Sequence, residues 1–193
     1  MAMGLNAQGN KMWIGGNAGF GTNNVKDGDS FSSWKFGPSF GYMLNDNMAV
    51  GINLLSNGST DKANNNSNDV YKMSGWNIEP FFRYYFAGAG NFKFFGDGLV
   101  GFGGGKETWE SDMLNEPFES KYSTFGIWVR PGAQFWFNDN WSMAATIGAL
   151  GYSIKTSNKG ETNNAGESIE TTTTNFGIAV DFSNTNFSVF WHF

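Results

Sequence analysis

The chain contains no cysteine and a single histidine, His192. Disulfide scaffolds, thiolate metal centres and cysteine nucleophiles are therefore excluded, and one imidazole cannot build a histidine-rich metal site. Charge is also scarce: Lys, Arg, Asp and Glu make up 15% of 193 residues, well below the soluble average of about 25%. The net charge of −5 argues against a nucleic-acid partner. No apolar run approaches the roughly 18–20 residues that a membrane-spanning helix requires. Stretches rich in Ala, Leu or Glu are missing as well, which excludes a helical bundle. In their place stand 20 Phe, 8 Trp, 6 Tyr and 27 Gly, spread along the whole length, a composition that argues against disorder and for strands.

Residues 1–8 are set apart. They have no basic region and no room for an apolar one, yet Leu5-Asn6-Ala7 before Gln8 has the form of the residues preceding a signal-peptidase cut. Two readings stand side by side, a remnant of an export signal over 1–7 or a cloning scar. Residues 9–193 are expected to form one domain.

Alternation with period 2 dominates that domain. It runs through Met12 to Phe20, Trp34 to Leu44, Met48 to Leu54, Trp76 to Phe86, Phe92 to Phe102, Phe125 to Phe137 and Trp141 to Ala149. Short turns at 45–47, 87–91 and 138–140 alternate with polar stretches at about 23–32, 56–70, 104–121 and 155–171. All tight turns thus fall at one end and all large loops at the other, the pattern of an up-and-down membrane barrel. In the last segment Phe176, Ile178, Val180 and Phe182 lie on even positions, and Phe187, Val189, Trp191 and Phe193 on odd ones. One long strand over 172–193, with a β-bulge near Ser183 to Asn186 resetting the parity, brings the count to eight. The expected fold is all-β, an eight-stranded antiparallel up-and-down transmembrane β-barrel.

The two faces differ in content. One is bulky and apolar, and carries Pro38, Pro80 and Pro131 in mid-strand, which further bulges would explain. The other is mostly Gly, Ser, Asn and Thr, with Lys35, Glu79, Arg83, Lys93, Asp97, Arg130 and Asp181 among them. Four bases against three acids suit a sealed lumen network better than a solvated surface, because buried charges persist only when paired. Glu79 with Arg83 and Lys93 with Asp97 are the pairs suggested along the strands, and a cross-strand network of Glu79 and Asp97 with Arg83 and Arg130 is the structural expectation. Trp13, Met43, Phe81, Tyr85, Phe95, Leu99, Trp128 and Trp136 fall on the inward parity against the simple rule. Phe95, Leu99 and Trp128 keep a soluble ligand-binding barrel open.

The meander, the Asn-Asp-Asn turns and the ending Phe187-Ser188-Val189-Phe190-Trp191-His192-Phe193 resemble the small outer membrane β-barrel proteins of Gram-negative bacteria, including outer membrane protein X and the barrel of outer membrane protein A. The Asn-, Gly- and Phe-rich style is similar to Bacteroidetes members. The resemblance covers residues 9–193 and implies a place in the outer membrane, among its lipids and lipopolysaccharide. It also implies that Trp191 and Phe193 form the terminal signal read by the barrel assembly machinery, with Ser188 standing where the pattern has Gly.

The remaining motifs read blandly. Gly96-Asp97-Gly98-Leu99-Val100-Gly101 matches a dinucleotide fingerprint in letters, but the strand pattern runs through it to Phe102, and glycine relieving crowding is the better account. Ser188 and His192 share a face at a spacing of about 13 Å, too far for a hydrolase pair. Carboxylates Glu107, Glu110, Asp112, Glu116 and Glu119 could hold divalent cations that bridge lipopolysaccharide phosphates, or simply be solvated. A structural or surface-interaction protein without catalysis or cofactor is the expectation. A lipid-modifying enzyme, a narrow solute channel and a soluble lipocalin-like barrel are the alternatives.

Overall fold

A computed structural model describes residues 11–24, 28–63, 69–111, 117–158, 169–179 and 185–193. The separate N-terminal segment, residues 1–8, lies outside them. Ten strands are present: β1 (Met12–Asn24), β2 (Ser30–Asn45), β3 (Met48–Lys62), β4 (Val70–Ala89), β5 (Phe92–Glu110), β6 (Phe118–Trp136), β7 (Trp141–Thr146), β8 (Ala149–Ser157), β9 (Thr171–Ala179) and β10 (Asn186–His192). All pairings are antiparallel, and they run from β1 in chain order to β7, on to β10 and back to β1, a closed ring of eight. β7 and β8 both pair β6, so they are two halves of the seventh stave. β9 pairs β8, and β10 pairs β7, which makes them the halves of the eighth.

Alternation sorts the side chains as the strand period requires. Large apolar residues face outward in a belt from Ile14, Phe40 and Val50 through Ile78, Phe82, Ile127 and Val129 to Val189, all exposed. Strands of 19 and 20 residues are about twice the ten or so a bilayer needs, so they project beyond it. The polar stretches are thereby corrected: much of 30–32, 56–62, 104–110, 118–121 and 155–157 is strand, because cross-strand pairing satisfies its backbone without an apolar face.

Two breaks modify the staves. In the eighth, Phe176 and Ile178 face outward on even positions and Phe187, Val189 and Trp191 on odd ones, so the parity does reverse. Of the strand expected over 172–193, β9 and β10 are described, while residues 180–184, which hold most of the bulge expected near Ser183 to Asn186, lie outside the described residues. The seventh stave carries a bulge that alternation through Ile147 and Ala149 concealed. Gly132 pairs Thr146 while Val129 pairs Leu150, so one extra residue is inserted around Ile147 and Gly148. Gly148 takes φ 69°, and Ile147 donates its N–H to the Pro131 carbonyl at 3.1 Å.

That bulge faces Pro131, as expected of a strand residue without an N–H. Pro38 and Pro80 behave otherwise. Pairing of β2 with β3 skips from Phe36 to Ser39, and of β4 with β5 from Ile78 to Phe81, with the register unchanged on either side. Each proline thus leaves a gap in one ladder and no bulge, tolerable because the ring turns its other ladder to an intact partner.

The two Asn-Asp-Asn turns share one mechanism. The Asn45 side-chain oxygen accepts the Asn47 N–H at 2.9 Å, and the Asn138 oxygen accepts the N–H groups of Asn140 and Trp141, each at 2.9 Å. Asn138→Ala, which frees two donors at the rim, is expected to lower stability by about 0.5–1.5 kcal/mol. Urea unfolding of the barrel in lipid vesicles measures it, and an unchanged midpoint would refute this role.

Candidate functional site

The lumen is filled in layers. The inward apolar residues that broke the parity rule, Trp13, Met43, Phe81, Tyr85, Phe95, Leu99 and Trp136, form one buried cluster with Phe190, and Trp128 packs against it. Register explains how a narrow interior admits them. Trp13 stands opposite Gly41, Phe81 opposite Gly51, Phe95 opposite Gly132, Phe190 opposite Gly15 and Trp128 opposite Gly151. In each pair a Cβ on the glycine would fall inside the ring's van der Waals shell. These five rings therefore each lie across a cross-strand glycine, whereas Tyr85 stands opposite Phe95 and Trp136 opposite Ser142. In the G-x-G-x-x-G run the crowding account holds for Gly101 alone, which lies under Trp128; Gly96 and Gly98 face outward with open space or bare contact beside them.

Charge occupies two layers. Arg83 and Asp97 face each other in register, and Arg83 donates from Nε to Oδ1 at 2.7 Å and from Nη2 to Oδ2 at 2.8 Å. Both side chains are about 5% exposed. The guanidinium lies over the Phe95 ring at 3.7 Å from its centroid. Its remaining Nη1 donates to Gln134 Oε1 at 3.0 Å, which also accepts from the Tyr85 hydroxyl at 2.6 Å. That turns the Gln134 amide towards Ser142, where it donates to Oγ at 2.7 Å. Ser142 Oγ lies 2.7 Å from His192 Nε2, so this hydrogen bond extends the chain from Arg83 through Gln134 to His192.

In the second layer Arg130 donates to Glu79 at 2.9 and 3.3 Å. Ser188 donates to Asn17, whose amide donates to Asn53 at 3.2 Å, and Asn53 in turn reaches Glu79. Lys35 stands in the field of Arg130 and Glu79.

The suggested pairings along the strands are therefore exchanged. Glu79 goes with Arg130, and Asp97 with Arg83: residues four apart on a strand are separated by about 13 Å, Arg83 and Asp97 are cross-strand neighbours in register, and Arg130, two strands away from Glu79, reaches it with its long side chain. The four do gather in the lumen, as two bidentate pairs. Lys93 stands apart at the short-turn end, its ammonium 5.4 and 5.3 Å from the Tyr85 and Trp136 ring centroids and 3.3 Å from the Asp46 carbonyl. Asp181 lies outside the described residues. Gln134, Ser142 and Tyr85, which link the first pair to His192, carry no sequence signal beyond their inward parity.

His192 thus meets Ser142 and not Ser188. The dyad has hydrolase letters, but Ser142 is fully buried and accepts a hydrogen bond from Gln134. Ser142 thus links Gln134 to His192.

A third polar cluster lies above the outward Trp76 and Phe102, beyond the membrane-spanning segment. Glu107 is bonded by Tyr71 and by Lys155. Burial pushes its carboxyl up, but those hydrogen bonds outweigh it and hold the group below the usual carboxylate range. Burial, followed by the bond to Glu107, pushes the Tyr71 hydroxyl up. Glu110 pairs Lys72 at 2.6 Å and Glu119 pairs Lys106 at 3.5 Å. The described acids of the cation-binding candidate are thus each matched by a lysine, and Asp112 and Glu116 lie outside the described residues.

A model of the outer membrane protein beta-barrel domain family matches residues 1–189. The chain belongs to that family. The barrel is accordingly a Gram-negative outer membrane protein, with its apolar belt in lipid, and the soluble alternative falls. No curated protein matches it. Among solved structures, Neisserial surface protein A is similar over 94% of this chain and 97% of its own, at 13% identity and a TM-score of 0.46.

At the closing strand, Trp191 and Phe193 project outward and stack at 4.9 Å between ring centroids. Phe193 and Met12 exchange backbone hydrogen bonds of 2.9 and 3.1 Å, so the last residue seals the ring against the first strand.

Proposed function

We propose that this barrel serves the outer membrane as a structural or surface-interaction protein, with a sealed lumen and no catalysis. The observation that carries the reading is the occupancy of the lumen at its two charged layers. The void between them measures about 30 Å³, room for about two water molecules. Ions crossing there would have to break both bidentate pairs. The non-catalytic reading is supported by the burial of the serine and histidine pair. Residues that would engage an external partner are those of the loops and strand extensions at the far end from the tight turns, with outer-leaflet lipopolysaccharide and lipid around the belt. Trp191 and Phe193 would serve the barrel assembly machinery before β10 meets β1, when their strand is still unpaired.

Conductance in planar lipid bilayers tests the seal. Wild-type barrel in about 1 M salt, where Debye screening is short, should show no channel events, and Glu79→Ala should stay silent because Lys35, Arg130 and the Arg83 layer still block the path. Steady conductance of the wild type would overturn the plug; conductance gained in Glu79→Ala or Arg83→Ala would favour a gated solute channel.

A further inference from the structure

One stretch of the wall is open. β1 pairs β10 only from Trp13 to Gly19, and beyond it Phe20 to Asn24 pair β2 alone among the described residues. β9 pairs β8 along its length, and among the described residues no pairing joins its other edge to β1. Side chains at this seam are unusually bare. Phe20, Phe176 and Ile178 are 73%, 78% and 72% exposed, while all other exposed large hydrophobics are at 61% or less. A side chain on a continuous wall is flanked on two sides, and here the described residues pair on one side only.

A cavity of about 350 Å³ lies at the seam. Its lining mixes the two faces: Phe20 and Trp34 from the lipid side, Lys35, Asn57 and Arg130 from the lumen, and Asn186 from the start of β10. Asn186, Gly19, Lys35 and Asn57 stand in one register row across β10, β1, β2 and β3. The cavity therefore passes through the wall, above the plug, from the membrane face to a charged interior.

Its inner end is cationic. Arg130 is matched by Glu79, whereas Lys35 has no carboxylate within ion-pair distance among the described residues. One uncompensated positive charge in a low-dielectric interior favours an anion beside it.

We propose that the seam cavity binds a single-chain amphiphile of the outer membrane, its anionic head drawn in to Lys35 and Arg130 and its acyl chain laid along Phe20, Phe176 and Ile178. A lysophospholipid phosphate and a fatty acid carboxylate both supply such an anion.

Native mass spectrometry of the full barrel released from detergent micelles tests it, with 1-palmitoyl lysophosphatidate, 3-hydroxypalmitate and neutral monopalmitoylglycerol as probes. One adduct per chain is expected for an anionic probe, with the neutral one at least about ten-fold weaker. Preference for lysophosphatidate assigns a phosphate, preference for 3-hydroxypalmitate a carboxylate, and equal binding assigns the charge itself. Lys35→Met should weaken binding by about ten-fold or more and Lys35→Arg should restore it. Equal binding of the neutral probe, no adduct with either anion, or undiminished binding in a folded Lys35→Met barrel overturns the proposal. Should Lys35→Met fail to fold, the neutral-probe comparison on the wild type decides alone.

Discussion

Asp97→Ala is expected to cost the barrel about 3–5 kcal/mol, because it strands Arg83 as an unpaired charge in the lumen. Arg83 is held by two bonds to Asp97 and one to Gln134, with the Phe95 ring beneath it. Removing the carboxylate takes away the only negative partner of that layer among the described residues and leaves no room for bulk water to replace it. The complementary experiment separates burial cost from pair strength. Arg83→Met combined with Asp97→Leu replaces both charges with apolar groups of similar size, and should be far more stable than either single variant, to within about 1–2 kcal/mol of wild type. Urea titration in lipid vesicles, read by tryptophan emission and by the gel-mobility shift on boiling, measures all three. An Asp97→Ala barrel within about 1 kcal/mol of wild type would falsify the pairing as a stabilising element.

Gly132→Leu is the second large effect. Gly132 lies opposite Phe95, and a Cβ there would enter the Phe95 ring with the Ala145 carbonyl 2.8 Å behind it. Phe95 cannot retreat, since it is fully buried and Arg83 sits on its ring. Overpacking of this kind costs about 1–3 kcal/mol by itself, and displacing Arg83 from Asp97 adds to it, so Gly132→Leu should largely lose the heat-shifted folded band. Phe95→Ala in the same chain vacates the space and should recover most of the loss. Gly96→Leu provides the contrast. That glycine is one residue from the ion pair in sequence yet faces outward with nothing within 4 Å, so its effect should stay within about 0.5 kcal/mol. If Gly96→Leu and Gly132→Leu behaved alike, the pairing of rings with glycines would not be the organising contact.

Parts of the lumen were legible because hairpin register is local. A tight turn at 87–91 puts Arg83 and Asp97 near mirror positions, and the structure pairs them despite a shift between Tyr85 and Ala87. Pairing along one strand misled, since alternation reports which face a residue takes and nothing about the distance to its neighbour. Phe95, Leu99 and Trp128 looked like exceptions for a related reason. Gly132, the partner of Phe95, lies across the long connection between β5 and β6, and Gly151, the partner of Trp128, lies beyond the bulge at Ile147 and Gly148, so in neither case does a tight turn alone fix the register.

By itself the sequence determined the strand alternation, the two ends of the barrel, the eight-fold count and the membership of the two faces. Each of these follows from a period of two and from turn chemistry, which act within about ten residues. Tertiary structure alone decided which acid meets which base, that five of the bulky inward rings rest on glycines, that two prolines leave ladder gaps without bulges, and that no pairing joins β1 to β9 among the described residues. Those outcomes depend on the stagger with which the ring closes and on the volume available inside it, and both are properties of all eight staves together.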